Sequence, residues 1–190
     1  TTLTLSGSLS APLESGETVR VYDGTTLLGS ASVDSSGSAW SFTTPALLAG
    51  GHSFTACVVD AAGNLSPAGT AYAVTIDRTT PTTTAAVTAV SDNVGSVQGI
   101  VVRGGRTDDT QLSLSGTLSA ALASDETIRI YDGATYLGDA SPTGTGLTWT
   151  FNDPRILSDG QAVSYTARVA DQAGNQSAAG TAYLVTVDTS

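Results

Sequence analysis

Thr18-Val19-Arg20-Val21-Tyr22-Asp23-Gly24 returns 109 residues later as Thr127-Ile128-Arg129-Ile130-Tyr131-Asp132-Gly133. In each stretch β-branched residues alternate with polar ones, the period-two signature of a strand with one buried face. The Asp-Gly that follows supplies the φ > 0 position a tight hairpin needs. The phrase therefore predicts a strand and hairpin, present twice.

The repeat extends in both directions. Leu3 to Phe42 aligns with Leu112 to Phe151 at constant offset, with 23 identities in 40 positions. The second copy then gains two residues around Gln161 to Ser164. Beyond them Asp60 to Asp77 aligns with Asp171 to Asp188, with 13 identities in 18. That density establishes two copies of one unit. Arg78 to Asp109 has no counterpart in the first copy. The expected domains are 1–78, lacking a leading strand segment, and 79–190, which carries it. Because Thr1 corresponds to Thr110, the chain reads as a window from a longer tandem array.

Alternation recurs along both copies. Leu3/Leu5, Trp40/Phe42, Phe54/Ala56/Val58 and Tyr72/Val74/Ile76 are matched by Leu112/Leu114, Trp149/Phe151, Tyr165/Ala167/Val169 and Tyr183/Val185/Val187. Short alternating strands between Gly, Asp, Ser and Pro clusters predict an all-β chain of two tandem antiparallel β-sandwiches. No stretch reads as a helix. Trp40 and Trp149 are expected to plug the two cores. Cys57 aligns with Arg168 and alternates out of phase with the inward set, so it is expected to face outward and be exposed. As the only Cys it makes no internal disulfide.

Composition narrows the function classes. The chain has 7 Arg and no Lys against 17 acidic residues, a net charge of −10. Nucleic-acid binding needs cations to neutralise phosphate, and anionic lipid repels such a surface. No apolar run reaches the length of a membrane-spanning helix, so direct membrane insertion is not expected. Divalent cations are the natural counter-charge.

The motifs form an ordered series. Leu-Ser-Gly-Thr-Leu (Leu114 to Leu118), the Tyr-Asp-Gly hairpin and Trp-x-Phe lead into Asp-x-Ala-Gly-Asn-x-Ser (Asp60 to Ser66, Asp171 to Ser177) and Val-Asp-Thr (Val187 to Thr189). The leading segment adds Ser-Asp-Asn-Val-Gly (Ser91 to Gly95) and Thr-Asp-Asp (Thr107 to Asp109). Together they resemble the bacterial Ig-like repeats in the extender regions of large RTX-type surface adhesins, and the resemblance covers nearly the whole chain. It implies tandem Ig-like sandwiches at the bacterial cell surface, acting in adhesion and biofilm as a monomeric stalk. The partners would be neighbouring repeats of the same chain, with Ca2+ stiffening loops and joints.

Two acidic groups are the candidate metal ligands. Asp92 and Asn93 lie in a Gly-containing turn, and Asp108 and Asp109 precede the strand near Leu112. If Thr84 to Val90 is the leading strand, the groups sit at opposite ends of one connection, which folding back would bring together. Calcium takes six to eight hard oxygens, often from loops. The same residues also suit plain turns; the resemblance favours calcium. Asp77, entering the Arg78-Thr79-Thr80-Pro81 linker, is the candidate ligand at the joint, with Asp188 its counterpart. Asp60 and Asp171 read as turn formers.

Catalysis finds little footing. His52, the only His, aligns with the gap around Gln161, so no His-based triad can occur in both copies. Glu17 and Glu126 are shared, but Glu14 aligns with Ala123, so a glycosidase pair is not repeated. A spacer is the expected function. The alternatives are a carbohydrate- or surface-ligand-binding module, with Tyr136 the one extra aromatic, or an accessory domain of a secreted enzyme.

Overall fold

A computed structural model describes residues 1–144 and 146–190. The chain divides into two compact units, Thr1–Arg78 and Thr79–Ser190. The described residues contain strands and turns and no helix, so none is long and apolar enough to cross a membrane.

The first unit holds β1 (Thr4–Ser8), β2 (Thr18–Asp23), β3 (Thr26–Ser30), β4 (Ser32–Val33), β5 (Ala39–Thr43), β6 (Gly50–Val59) and β7 (Tyr72–Ile76). They form two antiparallel sheets, ordered β1-β5-β4 and β3-β2-β6-β7. The Tyr-Asp-Gly hairpin closes with Asp23 opposite Thr26, leaving Gly24 first of two central residues at φ 54°. A type II′ turn places Gly at that position.

The second unit adds a leading segment, β8 (Ala85–Asp92), β9 (Gly99–Ile100) and β10 (Gly105–Thr107), before the repeated strands. These are β11 (Ser113–Leu118), β12 (Thr127–Asp132), β13 (Thr135–Thr143), β14 (Thr148–Asn152), β15 (Ala162–Ala170) and β16 (Tyr183–Val187). The strand order is β10-β16-β15-β12-β13-β14-β11-β8-β9. β13 serves both sheets: Thr135 to Ala140 pairs with β12, and Ser141 to Thr143 with β14. In the first unit β3 and β4 divide that task. The Ig-like β-sandwich is thus the architecture, with one departure from the antiparallel expectation. β10 joins β16 in parallel, because the connection from β8 doubles back before entering β11.

The leading segment decides how well each core closes. In the second unit β8 lies antiparallel on β11 and buries Val87 and Val90 against Trp149, Ala167 and Val169, all at most 2% exposed. In the first unit nothing within the unit takes the place of β8. Its cluster shrinks to Leu47, Phe54 and Ile76, with Leu3, Leu5, Leu28 and Val74 partly buried around it.

Three expectations are corrected, the first two on this account. Trp40 is only partly buried and does not plug its core, whereas Trp149 is fully buried. Tyr72 is not inward: it is 68% exposed, against 4% for its counterpart Tyr183. Tyr183 donates its hydroxyl to the Val101 carbonyl at 2.6 Å and packs under the Arg103 guanidinium, and both partners belong to the leading segment. Cys57 is buried at 8% exposure, not exposed as its phase suggests. Arg20 stands opposite it in the ladder, and a Cys side chain ends below the layer that longer neighbours make.

Replacing Trp149 by Ala should cost about 3–5 kcal/mol, as for other large core truncations. That is enough to lower or abolish the second unit's melting transition, given typical total stabilities of about 5–15 kcal/mol. Trp40→Ala should cost clearly less. Calorimetry on the two variants checks the order, and equal losses would contradict the difference in closure.

Candidate functional site

The connection from β8 to β11 does fold back, and it gathers Asp92, Asn93, Asp108 and Asp109 at one end of the second unit. Asp92 ends β8 and is 8% exposed; Asp109 is 3% exposed. Thr107 links them: its hydroxyl donates to Asp92 Oδ2 at 2.7 Å and accepts the Asp109 N–H at 3.1 Å. Asp92 Oδ1 accepts the Val94 N–H at 3.0 Å. Asp109 accepts the Gln111 N–H at 2.8 Å on one oxygen and the Asn93 N–H at 3.3 Å on the other. Asp108 is exposed and lies over Gly95, where φ is 66° and a side chain would overlap its carboxylate. No ion pair among the described residues engages Asp92, Asp108 or Asp109.

As a donor set for a hard cation, this offers two buried carboxylates, on residues linked through Thr107, each within a frame of peptide N–H groups. The described residues include no group of three or more His, Cys, Asp or Glu placed to hold a metal. A calcium shell of six to eight oxygens would need Asp108, Asn93 and backbone carbonyls to join the pair. Asp77 belongs to the first unit, exposed just after β7. Asp188 accepts a 2.8 Å hydrogen bond from Arg106, and its N–H donates to the Thr107 carbonyl.

The acids shared by both copies complete turns. Asp60 accepts the Asn64 N–H at 2.8 Å and its side-chain amide at 2.7 Å, and Asp171 does the same with Asn175. The Asn side-chain bond leads in holding both carboxyls below the usual range. Glu17 accepts the Glu14 N–H and Glu126 the Ala123 N–H, so these two carboxylates brace equivalent loops.

The hairpin Asp is shared too, but its partner differs. Asp23 accepts from His52 Nδ1 at 2.6 Å and from the Ser53 N–H at 2.9 Å. Asp132 accepts from Arg155 at 2.9 Å and from the Ser164 N–H at 2.8 Å. His52 Nε2 lies 3.1 Å from the Leu48 carbonyl, so both ring nitrogens face acceptors, and the ring stacks on Phe54. The Asp23 bond, followed by Leu48, raises the His52 pKa; the His52 bond, followed by Ser53, lowers that of Asp23. This His is part of a structural ion pair.

In the second unit Arg155 also grips Asp153, which accepts the Tyr165 hydroxyl at 2.6 Å. Burial pushes the Asp153 carboxyl up, but the bonds from Arg155 and Tyr165 outweigh it and hold it low. Burial and the Asp153 bond raise Tyr165. The first unit has Thr44 and Phe54 at those two positions; the ring there carries no hydroxyl, and the Thr44 hydroxyl accepts the Leu3 N–H at 2.9 Å. Sequence reasoning missed this network; the paired change from Thr44/Phe54 to Asp153/Tyr165 was its visible signal.

Tyr136 is half exposed, with its hydroxyl donated to Asp139 at 2.8 Å. Tyr131 and the Arg129 guanidinium lie near its ring, at 5.6 and 5.8 Å between centres. The first unit has Leu27 there, so this aromatic patch belongs to one copy.

The two hairpin ion pairs should respond differently to pH. His52, raised from 6.5 on folding, contributes stability that is complete below about pH 6.5 and is lost as pH rises through its folded value. Asp23, lowered from 3.8, contributes above that value and loses it as pH falls through its folded pKa. The first unit's melting temperature should therefore drop as pH rises above about 6.5 and through the raised pKa of His52, and His52→Gln should flatten that slope. Arg155 stays charged throughout, so the second unit should show no such slope. Melting curves across this range decide it, and an unchanged slope in the variant would contradict the assignment.

Comparison with known proteins agrees with the fold. No curated protein matches the chain. Residues 3–78 match the family model described as "Bacterial Ig-like domain". The second unit carries the same motifs by internal repetition, so on this likeness the first unit, and its repeat with it, is similar to a bacterial Ig-like repeat.

Proposed function

We propose that the chain is a mechanical spacer: consecutive Ig-like repeats from the extender of a large bacterial surface adhesin, secreted and displayed outside the cell. Its partners are neighbouring repeats of the same chain. One observation carries this reading. Among the acids common to both copies, Glu17/Glu126 and Asp60/Asp171 finish local turns, and Asp23/Asp132 tie the hairpin to the neighbouring strand through the Ser53 and Ser164 N–H. What the repeat preserves is therefore the means of building the sandwich again.

Calcium is the ion that fits the extender reading. Asp92 and Asp109 would hold it, with Asn93 and Asp108 drawn in, and Asp77 is the candidate ligand of the first unit. Two nearly buried carboxylates without a cationic side chain favour a cation there, since uncompensated buried charge is costly. Binding only the folded state would stabilise the second unit by RT ln(1 + [L]/Kd), about 2.7 kcal/mol at one hundred times Kd.

A second reading rests on the Tyr136 patch, where an aromatic face beside Arg129 offers a seat for a sugar ring. A glycan array on the chain and on Tyr136→Ala separates the two, and the spacer reading expects no signal from either.

Millimolar calcium should raise the melting temperature of the second unit more than the first, and EDTA should reverse it. Asp109→Asn should abolish the shift. Identical melting with and without calcium would remove the ion from the account; saturable, Tyr136-dependent glycan binding would replace the spacer reading.

A further inference from the structure

The outward face of β13, β12 and β15 in the second unit carries two cross-strand rows. In one, Arg129 stands between Asp139 and Arg168; in the next, Tyr131 stands between Tyr136 and Thr166. Like charges directly opposite one another across a strand pair are destabilising, so Arg129 facing Arg168 calls for counter-charge. Little is supplied. Asp139 lies 4.0 Å from Arg129 Nε, with both side chains partly exposed, and its carboxylate already accepts the Tyr136 hydroxyl. Arg129 Nε is closed off from solvent and has no hydrogen-bond partner among the described residues. The Arg168 side chain makes no ion pair among the described residues and lies against the Tyr131 ring, 5.9 Å from its centre.

The surroundings hold these donors in place. Arg129 lies over the Tyr136 ring at 5.8 Å, and that ring and Tyr131 are 5.6 Å apart. A guanidinium steadied on a ring face keeps its N–H edge free for a bidentate acceptor. The Tyr131 hydroxyl accepts the Gln176 side-chain amide at 2.9 Å, which leaves its own hydrogen to donate. The first unit lacks the arrangement. Its Arg20 stands opposite Cys57, and Leu27 and Leu65 occupy the positions of Tyr136 and Gln176.

We propose that Arg129, Arg168 and Tyr131 form a site for a tetrahedral oxyanion of the sulfate or phosphate type, free or carried on a saccharide. Its two charges match two guanidinium groups, and N–H donors that carry charge make the stronger hydrogen bonds. The anion sits between the two arginines, on the side of Arg129 away from Asp139, and relieves their repulsion. A free anion is compatible with the spacer. A sulfated saccharide would place its ring toward Tyr136, and that source alone rests on the second reading above.

The test is an NMR titration of the full 190-residue chain with sodium sulfate, sodium phosphate, glucose 6-sulfate and glucose, sodium chloride holding the ionic strength constant. Saturable shifts of the Arg129 and Arg168 guanidinium signals are expected with the three anions, and none at Arg20. Arg168→Gln should weaken sulfate binding about tenfold or more while leaving the second unit's melting temperature nearly unchanged. Tyr131→Phe should weaken it less, and Asp139→Asn should tighten it by removing a competing carboxylate. Tighter binding of glucose 6-sulfate than of sulfate, with the gain lost in Tyr136→Ala, assigns the saccharide source; equal binding assigns the free anion. Sulfate shifts that do not saturate, or an affinity unchanged in Arg168→Gln, overturn the proposal. Glucose binding as well as glucose 6-sulfate, with no effect of Arg168→Gln, overturns the oxyanion site and leaves the sugar seat standing.

Discussion

The antiparallel seating of β8 on β11 is the contact from which most other features of the second unit follow. It places Val87 and Val90 over Trp149 and seals Ala167 and Val169. The chain beyond it then turns back through Val101 and Arg103, which satisfy and cover Tyr183. Further on, Thr107 ties Asp92 to Asp109 and hands the chain to β11. A strand with one buried face cannot leave that face uncovered without losing much of the roughly 25 cal/mol per Å² that apolar burial contributes. The first unit, with nearly the same inward residues, shows the consequence: Trp40, Ala56 and Val58 are only partly buried.

The two units thus form an internal comparison in which the sequence is largely held constant and one strand is varied. Substitutions between them sort by physical need. The Phe54/Thr44 pair becomes Tyr165/Asp153, so that the added hydroxyl finds an acceptor inside the core. The hairpin acid keeps its backbone bond and changes its cation, from His52 to Arg155. Gly7 remains Gly because a side chain there would overlap the Trp40 ring, as at Gly116 with Trp149.

Strand phase and hairpins were legible from the residues because both are local. Period-two alternation at Val19/Val21 and Ile128/Ile130 marks the inward face, and Asp-Gly marks the turn. Burial was less legible because it depends on what lies across the sheet. Tyr72 and Trp40 have the same local pattern as Tyr183 and Trp149, yet only the latter pair is covered. Cys57 has outward phase and is buried all the same, since depth reflects the length of neighbouring side chains. Of the candidate ligands, Asp92, Asn93, Asp108 and Asp109 were placed by a chain reversal that the doubled acidic motif suggested. The hydroxyl bridge at Thr107 and the parallel pairing of β10 had no local signal, because both arise from contacts with distant strands.

Hydrogen–deuterium exchange along the intact chain tests most directly whether the leading strand closes the sandwich. The account predicts slow exchange for β11 and β15 and distinctly faster exchange for their counterparts β1 and β6, with β2 and β12 less different from each other. Equal protection of β1 and β11 would show that the first unit closes its core without such a strand, and would contradict the central claim.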